Sequence, residues 1–346
     1  MTYECFQPGQ EWLDTNGNLI QAHGGSIIVV DGTYYWYGEN KEKNIPGGKI
    51  VHWGVRAYRS NDLYNWEDCG LIIPPDVDDL TSPLHPHVYL DRPHIIYNAE
   101  NEEFVCWIKV ISPKGQRSTV LTSKNILGPY TIVTKDLKPL GMNAGDFDLV
   151  VDPTDGKAYY YFERVHSELV CADLTSDYRN VTGYYSTHFP LKQPPYVREG
   201  VAYFERSGVH YLITSGTTGY YPNPSLIATA DSYHGPWRFI GDVHPSDVSR
   251  TSFHSQVSCV FKHPEKEDLY IAMADRWLPH YTESSADAIR MHEERFRPMG
   301  GHQDGNWKEL TTIDTARARY VWLPLTFDGD NITIEWHDEW KIEDFD

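Results

Sequence analysis

Short apolar runs, about four to eight residues long, fill most of this chain, and few of them carry the 3.6-residue period of a helix. GGSIIVVDGTYYWYGEN, beginning at Gly24, sets the pattern: a glycine lead, an apolar strand, an Asp-Gly turn, then a second strand rich in aromatics. The same order returns in RPHIIYNAENEEFVCWIKV from Arg92, GDFDLVVDPTDGKAYYYFERV from Gly145, REGVAYFERSGVHYLITSGT from Arg198 and HSQVSCVFKHPEKEDLYIAMADRW from His254. Successive units start 68, 53, 53 and 56 positions apart. Behind them lie second hairpins, in YRSNDLYNWEDCG, LTSKNILGPYTIV, CADLTSDYRNVTG and ATADSYHGPWRFIGD, and the C-terminal YVWLPLTFDGDNITIEWHDEW supplies strands to finish the last unit. Two hairpins make a four-stranded blade, and the spacing is near the roughly 40–50 residues of known blade repeats. The pattern predicts an all-β, five-bladed β-propeller built from residues 1–346, with a two-sheet sandwich of regular hairpins as the alternative. An irregular charged stretch over residues 280–317, helical in period only over 286–296, reads as an insertion across one face.

Charge and cysteine content narrow the partners. A formal net charge of −19 argues against a phosphate-tracking surface, since nucleic-acid binders need basic patches. Cys5, Cys69, Cys106, Cys171 and Cys259 are odd in number and form no C-x-x-C pair, so neither a disulfide framework nor a zinc cluster is expected. No apolar run approaches a membrane span, and MTYECFQPGQEW lacks the basic and apolar regions of a signal peptide. The expectation is a protein without nucleic-acid or membrane partners, cytoplasmic, or secreted with its leader already removed.

In a propeller the first strand of each blade lines the channel, so the leading ends of five distant segments converge at one mouth. Those ends carry His23 with Glu39, Asp91 with Arg92, Asp146, Arg198 with Glu199, and Gln256. Carboxylates gathered in this way suit acid–base chemistry. Arg198 next to Glu199 is no obstacle, because successive strand side chains face opposite sides.

Taken in order, several stretches resemble glycoside hydrolase family 43, and within it the exo-β-1,3-galactanase branch. They are WLDTNGNLIQAHGG from Trp12, YYWYGENK from Tyr34, DLYNW from Asp62, DRPHIIYN from Asp91, DFDLVVDPTDGKAY from Asp146, REG from Arg198, TSGTTGYYPN from Thr214, SQ from Ser255, ADRW from Ala274 and RYVWLPL from Arg319. The resemblance implies a five-bladed propeller that cleaves glycosidic bonds with inversion. By position it makes Glu199 the general acid and Asp146 the carboxylate that tunes and orients it. Most of the family places its base, an Asp, where this chain has Gly24; in the galactanase branch a glutamine matching Gln256 takes that role as its imidic-acid tautomer. Glu39 and Asp91 stay open as carboxylate alternatives. Asp91 stands where the branch has Glu, and His94 where it has Lys, a difference expected to reshape the pocket; Tyr220 stands where the branch has Trp and offers a ring to stack on a sugar. His23 and Asn223 complete the expected substrate contacts.

The reading is an inverting, exo-acting glycoside hydrolase acting on an oligo- or polysaccharide, with galactose release from β-1,3-galactan leading. An α-L-arabinofuranosidase or β-xylosidase of the same family, and a non-catalytic sugar-binding propeller, are the alternatives. No cofactor is expected and no metal ligands are assigned, although a channel-bound cation such as calcium occurs in the family. His85-Pro86-His87 lacks a third ligand at metal spacing and reads as a rim loop, and DPTDG from Asp152 reads as a hairpin turn. The insertion is expected to wall part of the funnel and favour attack at chain ends.

Overall fold

A computed structural model describes residues 2–191, 193–297 and 312–346. Blade one is β1 (His23–Val30), β2 (Thr33–Glu39), β3 (Val55–Ser60) and β4 (Glu67–Ile73). Blade two is β5 (Tyr89–Asn98), β6 (Glu103–Ser112), β7 (Gly115–Ser123) and β8 (Thr131–Leu137). Blade three is β9 (Ala144–Val151), β10 (Ala158–Arg164), β11 (Glu168–Leu174) and β12 (Val181–His188). Blade four is β13 (Arg198–Arg206), β14 (Val209–Gly216), β15 (Leu226–Ala230) and β16 (Arg238–Asp242). Blade five is β17 (Gln256–Lys262), β18 (Tyr270–Arg276), β19 (Arg319–Asp328) and β20 (Asn331–Ile334). Each blade is an antiparallel four-stranded meander, and β1, β5, β9, β13 and β17 contact one another in a closed ring. The five-bladed propeller is therefore the fold, and the sandwich is set aside. The insertion contributes α1 (Ser285–Arg295) between β18 and β19.

The long apolar runs follow from blades that are buried on both faces. Successive residues on β10 serve different interfaces: Tyr160 and Phe162 pack toward blade two, while Tyr159 and Tyr161 pack toward blade four. On β13, Val201 and Tyr203 face blade three, and Ala202 and Phe204 join the large cluster with blade five. A strand's two-residue period thus supplies two cores at once.

Aromatics close the ring where blade five meets blade one. Phe6 forms an isolated antiparallel bridge with Trp340 and stacks on its ring at 4.3 Å. Trp12 lies 5.4 Å from Trp36 of blade one and 5.0 Å from Trp322 of blade five. Both indoles keep polar partners: Trp12 Nε1 donates to Tyr64 O at 2.9 Å and Trp340 Nε1 to Trp322 O at 2.8 Å.

One irregularity recurs in every blade. The pairing of each innermost strand shifts near its leading end: between His23 and Ser26, between Asp91 and His94, opposite Phe162 and Arg164 on β9, between Glu199 and Ala202, and between Val257 and Cys259. A bulge bends its strand and re-aims the side chains beside it. Gly24 (φ 56°), Arg92 (φ 52°) and Gly200 (φ 60°) take the left-handed conformation at three of these points. A polar interruption at the head of an apolar strand is, in this fold, a bulge at the channel mouth.

Candidate active site

The five bulges surround one cavity, with about 110 Å³ accessible to water, lined by Glu39, Tyr89, Asp91, Arg92, Lys109, Ile111, Asp146, Glu199, Gly219, Tyr220, Gln256 and Trp277. All five blades contribute. Of the residues expected from sequence, Glu199, Asp146, Gln256, Glu39, Asp91 and Tyr220 meet here; His23 and Asn223 do not.

Asp146, on β9, is the most heavily bonded carboxylate on the cavity wall. Lys109 Nζ donates to its Oδ1 at 2.7 Å, the Arg92 guanidinium lies 3.2 Å from its Oδ2, and the Gly200 N–H reaches the same oxygen at 3.2 Å. Burial by itself raises a carboxyl pKa, but here Arg92, Lys109 and the Gly200 N–H outweigh it and bring Asp146 down to about 2. It is ionised at any working pH.

Glu199, on β13, is the opposite case. Burial raises its pKa well above the usual carboxylate range, the neighbouring Asp146 and Glu163 push it further, and Lys109 and Arg92 oppose the rise. Two carboxyl groups in one pocket are thereby split into an ionised one and a protonated one, as acid catalysis requires. Arg198 turns away, donating to Thr214 and to Pro224 O at 3.3 Å, so its charge serves the blade interior.

Gln256 opens β17. Its Nε2 donates to Ser215 Oγ at 2.8 Å, which fixes the amide, and its side chain borders the cavity. Ser215 pairs with Glu199 across β13 and β14 and donates to the Glu199 carbonyl at 3.4 Å. A side chain at Gly200 would place Cβ 2.5 Å from Ser215 Oγ and 3.0 Å from Gln256 Nε2. The glycine is required by its left-handed φ and by this close approach.

On the blade-one side, Glu39 accepts the Arg92 N–H at 2.8 Å and pairs with Lys41 Nζ at 2.7 Å. Burial, reinforced by Asp91 and opposed by Lys41, carries Glu39 up to about 7. A Cβ at Gly24 would lie 2.4 Å from Glu39 Oε1. The Glu39 carboxyl thus occupies the space that a side chain at position 24 would need. Asp91 lies 3.7 Å from Lys41 and 3.4 Å from Lys109, so the two lysines brace it from both sides. Arg92, a bulky residue at positive φ, stores backbone strain of order 1–3 kcal/mol, and the Glu39 and Asp146 contacts hold it there.

The remaining wall is aromatic. Tyr220 and Trp277 have ring centroids 5.0 Å apart, and Trp277 covers His23 at 5.4 Å. His23 is fully buried, bonded to Asp275 at 3.1 Å and stacked on Tyr320 at 4.9 Å. Asn223 accepts from Gly216 N at 2.6 Å and donates to Gly216 O and Thr218 Oγ1. These two correct the expectation of direct substrate contact: His23 supports Trp277 from behind, and Asn223 pins the loop that carries Tyr220. His94 likewise turns from the cavity to Asp148 Oδ1 at 2.8 Å, so it does not reshape the pocket directly.

Sequence reasoning missed Lys109, Trp277, Tyr89 and the buried Lys41. Lys109 had a signal, since it sits directly cross-strand from Asp91, but only once the bulge is known to set that register. Among the described residues, no group of three or more His, Cys, Asp or Glu side chains is arranged to hold a metal ion. His85, which is buried, and His87 lie edge to face at 4.5 Å. The described part of the insertion reaches the rim through Tyr221, whose ring centroid lies 5.8 Å from that of Tyr281 and 6.4 Å from that of His292.

A sequence model of the glycosyl hydrolases family 43 matches residues 21–259. No curated protein sequence matches the chain. Among solved structures, a family 43 β-1,3-galactosidase is 26 % identical with a TM-score of 0.79, covering 100 % of this chain and 65 % of that one. A second family 43 β-1,3-galactosidase, solved with galactodeoxynojirimycin, is 27 % identical with a TM-score of 0.78, covering 97 % and 100 %. An exo-β-1,3-galactanase from Phanerochaete chrysosporium, solved with galactose, is 27 % identical with a TM-score of 0.77, covering 98 % and 68 %. The chain thus spans about two thirds of the length of the first and third of these.

Proposed function

The chain belongs to glycosyl hydrolase family 43, and from that premise we propose that it is an inverting, exo-acting β-1,3-galactanase releasing galactose from chain ends. The observation that carries the reading is the split between Glu199, kept protonated by burial, and Asp146, kept ionised by Lys109 and Arg92 in the same cavity. Glu199 gives its proton to the glycosidic oxygen as the bond to the anomeric carbon breaks. A water held by Gln256 attacks that carbon from the other face and gives its proton to the Gln256 side chain, acting as its imidic-acid tautomer, which passes it on to solvent while solvent reprotonates Glu199. Inversion asks for a separation of about 6.5–9.5 Å between the two groups to admit the water. Asp146 stays ionised and stabilises the positive charge that develops on the sugar. Asp91 and Glu39 accept sugar hydroxyls, and the Tyr220 and Trp277 rings face the pyranose.

Galactose is favoured as the sugar because the related structures hold galactose or a galactose-shaped inhibitor. The test is product release from β-1,3-galactobiose and from an aryl α-L-arabinofuranoside, with the wild type and with Glu199→Gln. Galactose released first as the α anomer, and a loss of about 10²–10⁴-fold in the variant, are expected. Turnover of the arabinofuranoside alone would reassign the sugar. Binding of galactobiose without turnover would leave a lectin-like propeller in place of an enzyme.

A further inference from the structure

Beneath Asp146 and Glu199 lies a third carboxyl that the mechanism above does not use. Glu163, near the end of β10, is 2 % exposed and faces the bulge of β9 that presents Asp146. Its Oε1 accepts the His166 N–H at 2.6 Å. Its Oε2 lies against Gly145, where an added Cβ would be 1.9 Å away, so the glycine next to Asp146 makes the room this carboxyl occupies. Among the described residues no Lys, Arg or His lies within ion-pair distance of Glu163. Every other carboxylate named above on the cavity wall, Glu199 excepted, has a cation beside it.

We propose that Glu163 is a positioning residue for the acid: it loses its proton before Glu199 does, and its charge then keeps Glu199 protonated at higher pH. This rests on the reading of Glu199 as the general acid. Glu163 and Glu199 are buried beside the same Asp146, and burial, with Asp146 adding to it, lifts Glu163 to about 7 against the His166 N–H and Lys109. Charged groups converge on the pair from the packed elements, Arg92 from β5, Lys109 from β6 and Asp146 from β9, while Arg198, beside Glu199 on β13, turns its guanidinium to Thr214 and Pro224. His166, in the β10–β11 turn, is lowered to about 4 by burial with help from Lys109, so it brings no positive charge near Glu163; its backbone N–H bonds the carboxyl and its ring packs on Phe296 at 5.0 Å. As pH rises through the neutral range, the first proton leaves Glu163, and a second negative charge then opposes ionisation of Glu199.

The experiment is the pH profile of kcat/KM on β-1,3-galactobiose for the wild type and Glu163→Gln, with 2,4-dinitrophenyl β-galactoside as a second substrate. The amide introduced by this substitution stays neutral, so the basic limb on galactobiose should fall to lower pH by about one unit, with the acidic limb in place. The dinitrophenyl substrate, whose leaving group needs no proton, should show no such shift. Glu163→Asp should restore the limb. Coincident basic limbs on galactobiose, or equal shifts on both substrates, would overturn the proposal. Two readouts are independent of turnover. The wild-type Tm should fall more steeply than that of Glu163→Gln between pH 5 and pH 8, because a folded-state pKa raised from the unfolded value costs stability as pH rises through it. Infrared difference spectra of the wild type should show a buried carboxyl ionising below the pH at which kcat/KM falls, and its absence refutes the idea even if the variant does not fold. Failure of the wild type to release galactose at any pH would sink the hydrolase reading instead.

Discussion

Gly200→Ala tests whether the bulge at the head of β13 sets the active geometry. Two penalties are separable. The left-handed φ of 60° costs a non-glycine residue about 1–2 kcal/mol. The new Cβ would also stand 2.5 Å from Ser215 Oγ, against an ordinary contact of 3.4 Å or more, so the hydroxyl must retreat by 0.9 Å or more. That hydroxyl accepts the Gln256 amide at 2.8 Å and its residue pairs with Glu199, so one methyl group displaces both candidate catalytic side chains. A displacement of about 1 Å is enough to cost 10²-fold in rate.

Gly208 supplies the control. It sits in the turn of the same hairpin at φ 81°, and a Cβ there meets nothing within 4 Å. Gly208→Ala therefore incurs the backbone penalty without the collision. In a chain of this size, 1–2 kcal/mol lowers Tm by only about 1–3 °C. Thermal unfolding should show a drop of at least that size in both variants, while galactobiose hydrolysis should fall about 10²-fold in Gly200→Ala alone. Equal activity in the two would refute the link between bulge and site, whatever their stabilities.

Lys109→Met removes the cation shared by Asp91 and Asp146. Asp146 should rise from about 2 and Glu199 should rise further, so both limbs of the kcat/KM profile move to higher pH, in contrast to the single-limb shift expected for Glu163→Gln. The sign for stability is also fixed: a depressed Asp146 contributes stability above its unfolded value of 3.8, lost as pH falls through 2, and the variant should forfeit part of that at neutral pH. Phe6→Ala should cost about 3–5 kcal/mol by opening the aromatic closure between blades five and one, seen as a lower Tm with KM for galactobiose unchanged.

The architecture was legible because its physics is local and repeated. Each blade needs strands apolar on both faces and tight turns between them, and both leave a period in the chain. The outer hairpins and the finishing C-terminal strands were legible for the same reason. The site was legible where its residues sit at strand starts, as Asp146, Glu199 and Gln256 do, and where an extended stretch resembles the family, as around Glu39 at the end of β2 and Tyr220 in the loop after β14. Lys109 and Trp277 come from the second strand of a blade or just beyond it, where an apolar neighbourhood hides them. His23 and Asn223 fail in the other direction: each lies beside the cavity in sequence, but their bonds to Asp275 and to Gly216 turn them into its supports.

Gly24 carries the argument furthest. Sequence comparison within the family reads it as a missing carboxylate, and the absence leaves the base open among Glu39, Asp91 and Gln256. The fold shows that the space is filled from the paired strand, because His23 stands opposite Glu39 and the Glu39 carboxyl enters the volume that a side chain at position 24 would occupy. That carboxyl is already committed, with one oxygen on the Arg92 N–H and the other on Lys41. Asp91 is braced by two lysines. A group that holds the attacking water needs a free acceptor, and the Glu39 and Asp91 carboxylates are already engaged by the Arg92 N–H, Lys41 and Lys109. Gln256, whose N–H bonds Ser215, borders the cavity with no cation paired to it among the described residues. The same close packing that excludes a side chain at position 24 leaves Gln256, across the channel on blade five, as the group we propose to position the water.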